Sequence, residues 1–385
     1  MKKNNTQISL SSLSPQDENY LSLCLSLSKR HIGLCGKNPS VAAVLATPEK
    51  IIDIAITAIG GRPHAEEILL AKQPFIPLDS TLYLSLEPCA HHSPYRTKSC
   101  ADNIVSNGIK RLVVACHDPN PKTNGAGFDI IKKSGATILL GNEDWQKKAE
   151  KIYQGFFSRI KQQKPWVAIK IALSADNKTI LPKNFKTSHA HHQKKHHQIT
   201  NGQLQFFSQY IRCIYDGLLV SAKTIFTDDP LLTIRERGLP ILEKTRFIID
   251  HQNLLQGKEK IFTTTKMQPL FIFCAKKNTT LPADAIQIIL PTNDKNHFSW
   301  KDIFLEIAKY GINCLLIETG GKLLLPLKQQ NYLDELWLCQ QTNLVLGDTA
   351  TCPIHIHDAI ADMEENTYFA FDNQMGIAKK YGRYN

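Results

Sequence analysis

A histidine and a glutamate one residue apart, His64 and Glu66, stand before an apolar run in "HAEEILL", and two cysteines, Cys89 and Cys100, follow in "LEPCAHHSPYRTKSC". Imidazole and thiolate are good ligands for Zn2+, and a catalytic zinc site uses three protein ligands with the fourth position left for water. Zinc lowers the pKa of such a water to about 7, and a carboxylate beside it can carry protons. Glu66, two residues from His64 and in the first turn of the helix that this stretch suggests, suits that role. The spacing His-x-Glu followed by Pro-Cys is that of zinc deaminases. Plainer readings stand beside it. The same seven residues suit an ordinary helix start, with Glu66 and Glu67 at the positive end of the dipole, and a fourth ligand from His91 or His92 would make the site structural. The strand-to-loop context and the nearby carboxylate favour catalysis.

The elements that must position these residues alternate. "DENYLSLCLSLSKRH" reads as a helix, and "SVAAVLAT" and "IIDIAITAI" read as paired strands. They are followed by helix "HAEEILLAK", strand "STLYLSLEPCA", helix "CADNIVSNGI", strand "KRLVVACHDPN", helix "GFDIIKKSG" and strand "ATILLG", with "EDWQKKAEKIYQGFFSRIKQQ" as one closing helix. This spacing implies an α/β layer fold with part of the sheet parallel. A boundary is expected near residue 160. A second alternation then runs through "WVAIKIALS", "IYDGLLVSAKTI", "TRFIID", "LFIFCA" and "NCLLIETGG", a second α/β domain.

A chain of 385 residues is comfortable as two domains, and 42% hydrophobic with 21% charged residues is ordinary for a globular protein. No apolar stretch is long enough to span a bilayer and the start lacks a signal-peptide core, so a soluble, cytoplasmic protein without a membrane partner is expected. Ten scattered cysteines suggest free thiols rather than a disulfide framework. A net charge of +11 favours an anionic partner: nucleic acid, a phosphorylated metabolite or a phosphate-bearing cofactor.

Over nearly the whole length after its N-terminal tail, the sequence resembles the bifunctional deaminase/reductase family of riboflavin biosynthesis. In the first half the resemblance rests on "KNPSVAAV", "HAE", "LYLSLEPCAHH", "CADNIVSNGIKRLVVACHDPNP" and "GAGFDIIKKSGA". It implies a cytidine-deaminase-like α/β/α domain over residues 1–160, of which 1–16 are a polar tail. This domain would remove the amino group from a phosphoribosylated diaminopyrimidine, with His64, Cys89 and Cys100 as zinc ligands and Glu66 as proton shuttle. Asn38 and His91 would contact the substrate, although Asn38 reads equally well as a turn residue. The loop between the cysteines is longer than the family's pattern, most simply by Pro94 and Tyr95.

In the second half, the resemblance implies a dihydrofolate-reductase-like α/β domain over residues 161–385 that uses NADPH to reduce the ribosyl chain of the deaminated product to ribityl. Leu173, Gln198, Thr224, Asp228, Gly320 and Gly321 would lie along the cofactor. Lys170, His196, Arg212, Leu232, Arg235 and Glu318 would face the phosphorylated substrate. Read without the resemblance, the acids before Pro230 make a turn and cap, and the glycine pair after "LLIET" is a simple turn or a phosphate-binding helix start. His196 and Gln198 depart from the family, which has serine and tryptophan there. The histidine-rich run "HAHHQKKHHQ" reads as a solvated basic loop or a second metal site. The expected partner is a small phosphorylated pyrimidine substrate, with no nucleic acid, and the chain is expected to form a homo-oligomer. Two alternatives stay open: a deaminase with a silent reductase-like scaffold, and a nucleic-acid base deaminase.

Overall fold

The computed structural model describes residues 13–91, 98–179, 199, 202–240, 243–318, 323–347, 358, 360–371 and 376–383. The chain forms two compact units that part between Gln163 and Lys164. Gln163, in the left-handed region at φ 56°, ends the last helix of the first unit.

The first unit contains α1 (Pro15–Ser28), β1 (Ala42–Ala46), β2 (Ile51–Ile56), α2 (Ala65–Ala71), β3 (Thr81–Leu84), α3 (Cys100–Ser106), β4 (Arg111–Val114), α4 (Ala126–Lys133), β5 (Thr137–Leu140), α5 (Glu143–Ile152) and α6 (Gln154–Gln162). Its sheet runs β2-β1-β3-β4-β5. Strand β1 is antiparallel to β2 and β3, whereas β3, β4 and β5 are parallel. Helices cover both faces, which is why β1 is buried at every position instead of alternating. Val44 and Ala46 pack with Leu21, Cys24, Trp145 and Phe156. Ala43 and Leu45 pack with Leu69, Ile104 and Phe128 on the other side.

The single closing helix expected over residues 143–163 is instead two helices, broken at Tyr153 with φ −96° and ψ 16°. The side chain explains the break. Tyr153 is buried, and its hydroxyl donates to Ser85 Oγ at 2.6 Å, which holds the bend against the sheet.

The second unit contains β6 (Trp166–Ser174), α7 (Gly202–Cys213), β7 (Gly217–Ser221), α8 (Ala222–Asp228), β8 (Thr245–Asp250), β9 (Leu270–Cys274), β10 (Ile286–Ile289), α9 (Trp300–Lys309), β11 (Cys314–Glu318), α10 (Leu324–Gln329), β12 (Glu335–Gln341), β13 (Glu364–Phe371) and β14 (Gly376–Gly382). The sheet order is β10-β9-β8-β7-β11-β6-β12-β14-β13. It is parallel from β10 to β12, and β14 and β13 add an antiparallel edge. Val167, Ile169, Ile171 and Leu173 of β6 enter one core with Phe304 and Leu324. Ala168 enters the other, with Leu204, Ile211 and Ile225. The chain leaves β6 toward β7 and leaves the adjacent β11 toward β12, in opposite directions along the sheet. Such a reversal opens a crevice at the carboxyl ends of the strands, where open α/β sheets bind ligands.

No disulfide forms among the described cysteines. No helix among the described residues is long and apolar enough to cross a membrane.

One ion pair ties α1 to β4. Asp17, only 2% exposed, accepts from Arg111 at 2.8 and 2.9 Å and from the Tyr83 hydroxyl at 2.9 Å. Burial opposes ionisation of Asp17, but hydrogen bonds from Arg111, Ser14 and Tyr83 outweigh it and hold the carboxyl well below the usual range. A carboxyl depressed in the folded state binds fewer protons there than when unfolded, so its stabilisation is complete above about pH 4 and is lost as pH falls further. Asp17→Asn is therefore expected to cost about 2 kcal/mol at pH 7, Arg111 being partly solvated. In denaturant unfolding, the gap between variant and parent should narrow once the pH drops below about 4.

Candidate active sites

In the first unit three segments converge. His64 is the N-cap of α2, Cys100 is the first residue of α3, and Cys89 lies in the loop leaving the carboxyl end of β3. His64 Nδ1 is 3.3 Å from Cys100 Sγ and 3.8 Å from Cys89 Sγ. The three ligand atoms lie within 4.8 Å of one another. Around a tetrahedral zinc with ordinary Zn–S and Zn–N bonds, the N···S edge is about 3.6 Å, so the donor set fits that metal. Local folding makes this arrangement. Ser99 caps α3, its Oγ accepting from Asp102 N at 3.1 Å, and Ala101 N donates to the Cys89 carbonyl at 3.1 Å. The lengthened loop between the cysteines, Pro94 and Tyr95 included, lies outside the described residues, yet its two ends meet.

The two glutamates of "HAEE" take different jobs. Glu67 accepts from His64 N at 2.9 Å and closes a capping box, whereas Glu66 is buried at 3% exposure and faces the cluster. Burial pushes the Glu66 carboxyl up and the Cys89 sulfur adds to this, against the lowering effects of His64 and of a hydrogen bond with Cys100. Desolvation opposes protonation of His64, but Cys89 and Glu66 raise its pKa overall. The pocket thus attracts positive charge, and it holds a carboxyl group that can take up a proton.

Asn38 donates from Nδ2 to the Gly61 carbonyl at 2.8 Å, tying its loop to the segment before His64. Gly61 needs its φ of +86°, and a Cβ there would stand 2.2 Å from the Cys35 carbonyl. His91 is exposed.

Sequence reading missed a second layer beside Cys89. The buried Glu87 accepts from His117 Nδ1 at 3.0 Å and from Asp118 N at 3.3 Å. Burial, with Glu87 and Cys89 adding to it, pushes Asp118 up to about 7. Glu87 and His117 follow neighbouring parallel strands, and only that adjacency joins them. The available signal was a charged residue just past each of two apolar runs.

In the second unit Lys170, Arg212 and Glu318 come together at the carboxyl end of β11. Lys170 and Glu318 are register partners on β6 and β11. Glu318 receives Arg212 through two bonds, Nε to Oε1 at 2.5 Å and Nη2 to Oε2 at 2.9 Å. Burial alone would raise the Glu318 carboxyl, but Arg212 and Lys170 bring it below its ordinary value. The Arg212 Nη1 also donates to the Thr233 carbonyl at 3.0 Å, reaching the loop that carries Leu232 and Arg235. Leu232 is buried with φ +54°, a strained setting for a leucine, and Arg235 is exposed. Thr224 lies in the first turn of α8, its N–H donating to Ser221 Oγ at 3.2 Å, and Asp228 ends that helix on the surface. The Leu173 side chain is in the core, so a cofactor contact there falls to its backbone. His196, Gln198, Gly320, Gly321 and the histidine-rich run lie outside the described residues.

Comparison with known proteins accords with both units. Residues 14–116 match the cytidine and deoxycytidylate deaminase zinc-binding region, and residues 165–373 match the RibD C-terminal domain. The riboflavin biosynthesis protein RibD of Haemophilus influenzae is 31% identical over 352 residues, covering 88% of each chain. That of Aquifex aeolicus is 29% identical over 325 residues, 83% of this chain and 85% of its own. The fold of Acinetobacter baumannii RibD is similar, with a TM-score of 0.79 at 24% identity over 95% of this chain and 98% of that one. So is a Thermotoga maritima deaminase/reductase, with a TM-score of 0.76 at 23% identity over the same shares. The fold and the cluster define a two-domain enzyme, a zinc-binding, cytidine-deaminase-like domain followed by a reductase domain. The chain belongs to the RibD family and acts in riboflavin biosynthesis.

The loop carrying Cys89 depends on a glycine. A Cβ on Gly127 in α4 would fall 2.1 Å from the Pro88 carbonyl. Gly127→Ala is expected to lower unfolding stability by about 1–3 kcal/mol through overpacking. Metal analysis after dialysis should show that this variant releases zinc more readily than the parent.

Proposed function

We propose that the first domain, residues 1–160, hydrolytically deaminates 2,5-diamino-6-(5-phosphoribosylamino)pyrimidin-4-one, and that residues 161–385 reduce the ribosyl chain of the product to ribityl with NADPH. The observation that carries this reading is the meeting of His64, Cys89 and Cys100 around a common point with the buried Glu66 beside them. The three would hold zinc. When bound, that ion activates water at neutral pH. Glu66 takes a proton from the attacking water and returns it to the departing amino nitrogen, which leaves as ammonia. Asn38 and His91 would orient the pyrimidine.

In the second domain NADPH supplies the hydride. Thr224, Asp228, Gln198, Gly320, Gly321 and the backbone at Leu173 would lie along it. Lys170, His196, Arg212, Leu232, Arg235 and Glu318 would hold the phosphorylated substrate. The Arg212–Glu318 pair, with Lys170 in register with Glu318, supports this reading by fixing two cationic side chains beside one carboxylate, a setting that suits a phosphorylated ligand.

The parent is expected to carry one zinc per chain, and Cys89→Ser and Cys100→Ser should each lose it. Full retention by both would refute the ligand set. Glu66→Gln should keep the zinc while ammonia release falls by roughly 10² to 10⁴, and an active variant would remove Glu66 from the mechanism.

Following NADPH oxidation with the deaminated substrate tests the second half. Asp228→Ala should abolish oxidation and spare ammonia release. Because Gln198 stands where the family has tryptophan, Gln198→Trp should tighten NADPH about tenfold, the gain expected of an aromatic platform. No binding at millimolar NADPH would leave the second domain a scaffold.

A further inference from the structure

Arg246, on β8, is a cation with no solvent exposure at all. Among the described residues no carboxylate pairs with it. Its partners are oxygens of two loops. Nη1 donates to the carbonyls of Leu231 at 3.0 Å and Ile261 at 3.4 Å and to Thr264 Oγ1 at 2.7 Å, and Nη2 donates to the carbonyls of Thr264 at 3.3 Å and Gln268 at 2.7 Å. Burying an unpaired guanidinium is costly, and an apolar side chain of similar volume fills space more cheaply. Packing alone therefore does not account for arginine here. What the planar fork supplies is several directed bonds from one point. All but one of these bonds fasten the 3₁₀ turn Lys260–Thr264 and its exit, and the remaining one reaches Leu231.

The same turn is fastened to the same loop on its outer side. Asp229 accepts from Lys260 N at 2.8 Å and pairs with Lys260 Nζ at 3.2 Å. Residues 229 and 231 are thus both moored to the 3₁₀ turn. Further along, Thr233 O accepts from Arg212, and Arg235 N donates to Gln209 Oε1 at 2.7 Å. The backbone of this loop is held by side chains, and between the two moorings and the Arg212 contact sits Leu232 in its left-handed conformation. A strained residue persists only where its surroundings over-determine it.

We propose that Arg246 is a positioning residue for the reductase: with Asp229 it clamps the 229–232 turn onto the 3₁₀ turn, so that Leu232 and Arg235 are presented to the substrate in one fixed arrangement. This rests on the reading of Leu232 and Arg235 as substrate contacts. Burial pulls the Arg246 pKa down to about 10, so it stays charged, and its bonds charge-assisted, at neutral pH.

The test uses the full chain and separates constants. Arg246→Lys keeps the charge but loses the fork, and Asp229→Gly removes the outer acceptor while tolerating the positive φ of 43° at that position. Both should raise the KM for the deaminated pyrimidine, by roughly tenfold and threefold respectively, with kcat within about twofold and ammonia release unchanged. Asp229→Asn keeps an acceptor for Lys260 N and should restore the parental KM. A folded Arg246→Lys with lower thermal stability but unaltered KM would make Arg246 purely structural and overturn the clamp. Should Arg246→Lys not fold, an unaltered KM in Asp229→Gly overturns it instead. Arg235→Ala is the control for the underlying reading. If it leaves KM unchanged, the assignment of this loop to the substrate fails, whereas a raised KM there with no effect of either clamp variant refutes the clamp alone.

Discussion

Three donor atoms from three separate segments stay within 4.8 Å of each other only if the backbone around them is already committed, and in the first domain that commitment comes from helix ends. His64 caps α2 and Cys100 opens α3, so two helix N-termini point at one place. The positive ends of their dipoles favour negative charge, which suits a thiolate. The loop after β3 delivers Cys89 to the same place because its carbonyl is held by Ala101 and its neighbour Pro88 lies against the bare face of Gly127. The sheet order follows from this need. With β3 at the centre, α2 and α3 both pack on the Leu82 and Leu84 side, in one core.

The second domain solves a related problem with its sheet. A parallel sheet brings the carboxyl ends of β6, β7 and β11 together, and the connections leaving β6 and β11 run in opposite directions along the sheet. Side chains on adjacent parallel strands then meet in register, as Lys170 and Glu318 do, and a helix packed over that face adds Arg212. The result is a charge centre that three distant parts of the sequence share.

What the sequence discloses depends on whether the information is local. The ligand types and their spacing are local to short motifs, and the alternation of helix and strand patterns carries the α/β class of both domains. Orientation within a motif is not local. In "HAEE" the His-x-Glu spacing singles out Glu66 for the chemistry, but that it turns inward while Glu67 closes the cap rests on packing against β1 and α3. The break at Tyr153 depends on a hydroxyl partner, Ser85, far away in the chain. The Glu87–His117 bond requires knowing that β3 and β4 are neighbours. Strands β13 and β14 escape notice because β13 is an edge strand exposed along most of its length, so its residues carry little apolar periodicity. Arg246, in "TRFIID", is among the most buried side chains of the domain, which a charged residue in a strand pattern does not announce.

That last mismatch bears on how buried charge is used here. Asp17 with Arg111, Arg212 with Glu318, and Arg246 with its ring of carbonyls all carry a desolvation penalty that apolar residues would avoid. Each joins elements that lie well apart in sequence: α1 to β4, α7 to β11, and β8 to two loops. Apolar contacts are non-directional and tolerate small slips of one element past another. A guanidinium fork does not, since its bonds lie in one plane at fixed angles. Where the exact pose of a loop matters to chemistry, directed bonds from a buried charge fix it better than packing does. Two of the three lie in the reductase domain, around the loop of residues 229–235. There Arg212 holds the Thr233 carbonyl and Arg246 the Leu231 carbonyl, one on either side of the strained Leu232. The strain at that residue and the guanidinium groups flanking it are two aspects of one arrangement: the directed bonds hold a backbone conformation that the residue would not adopt alone.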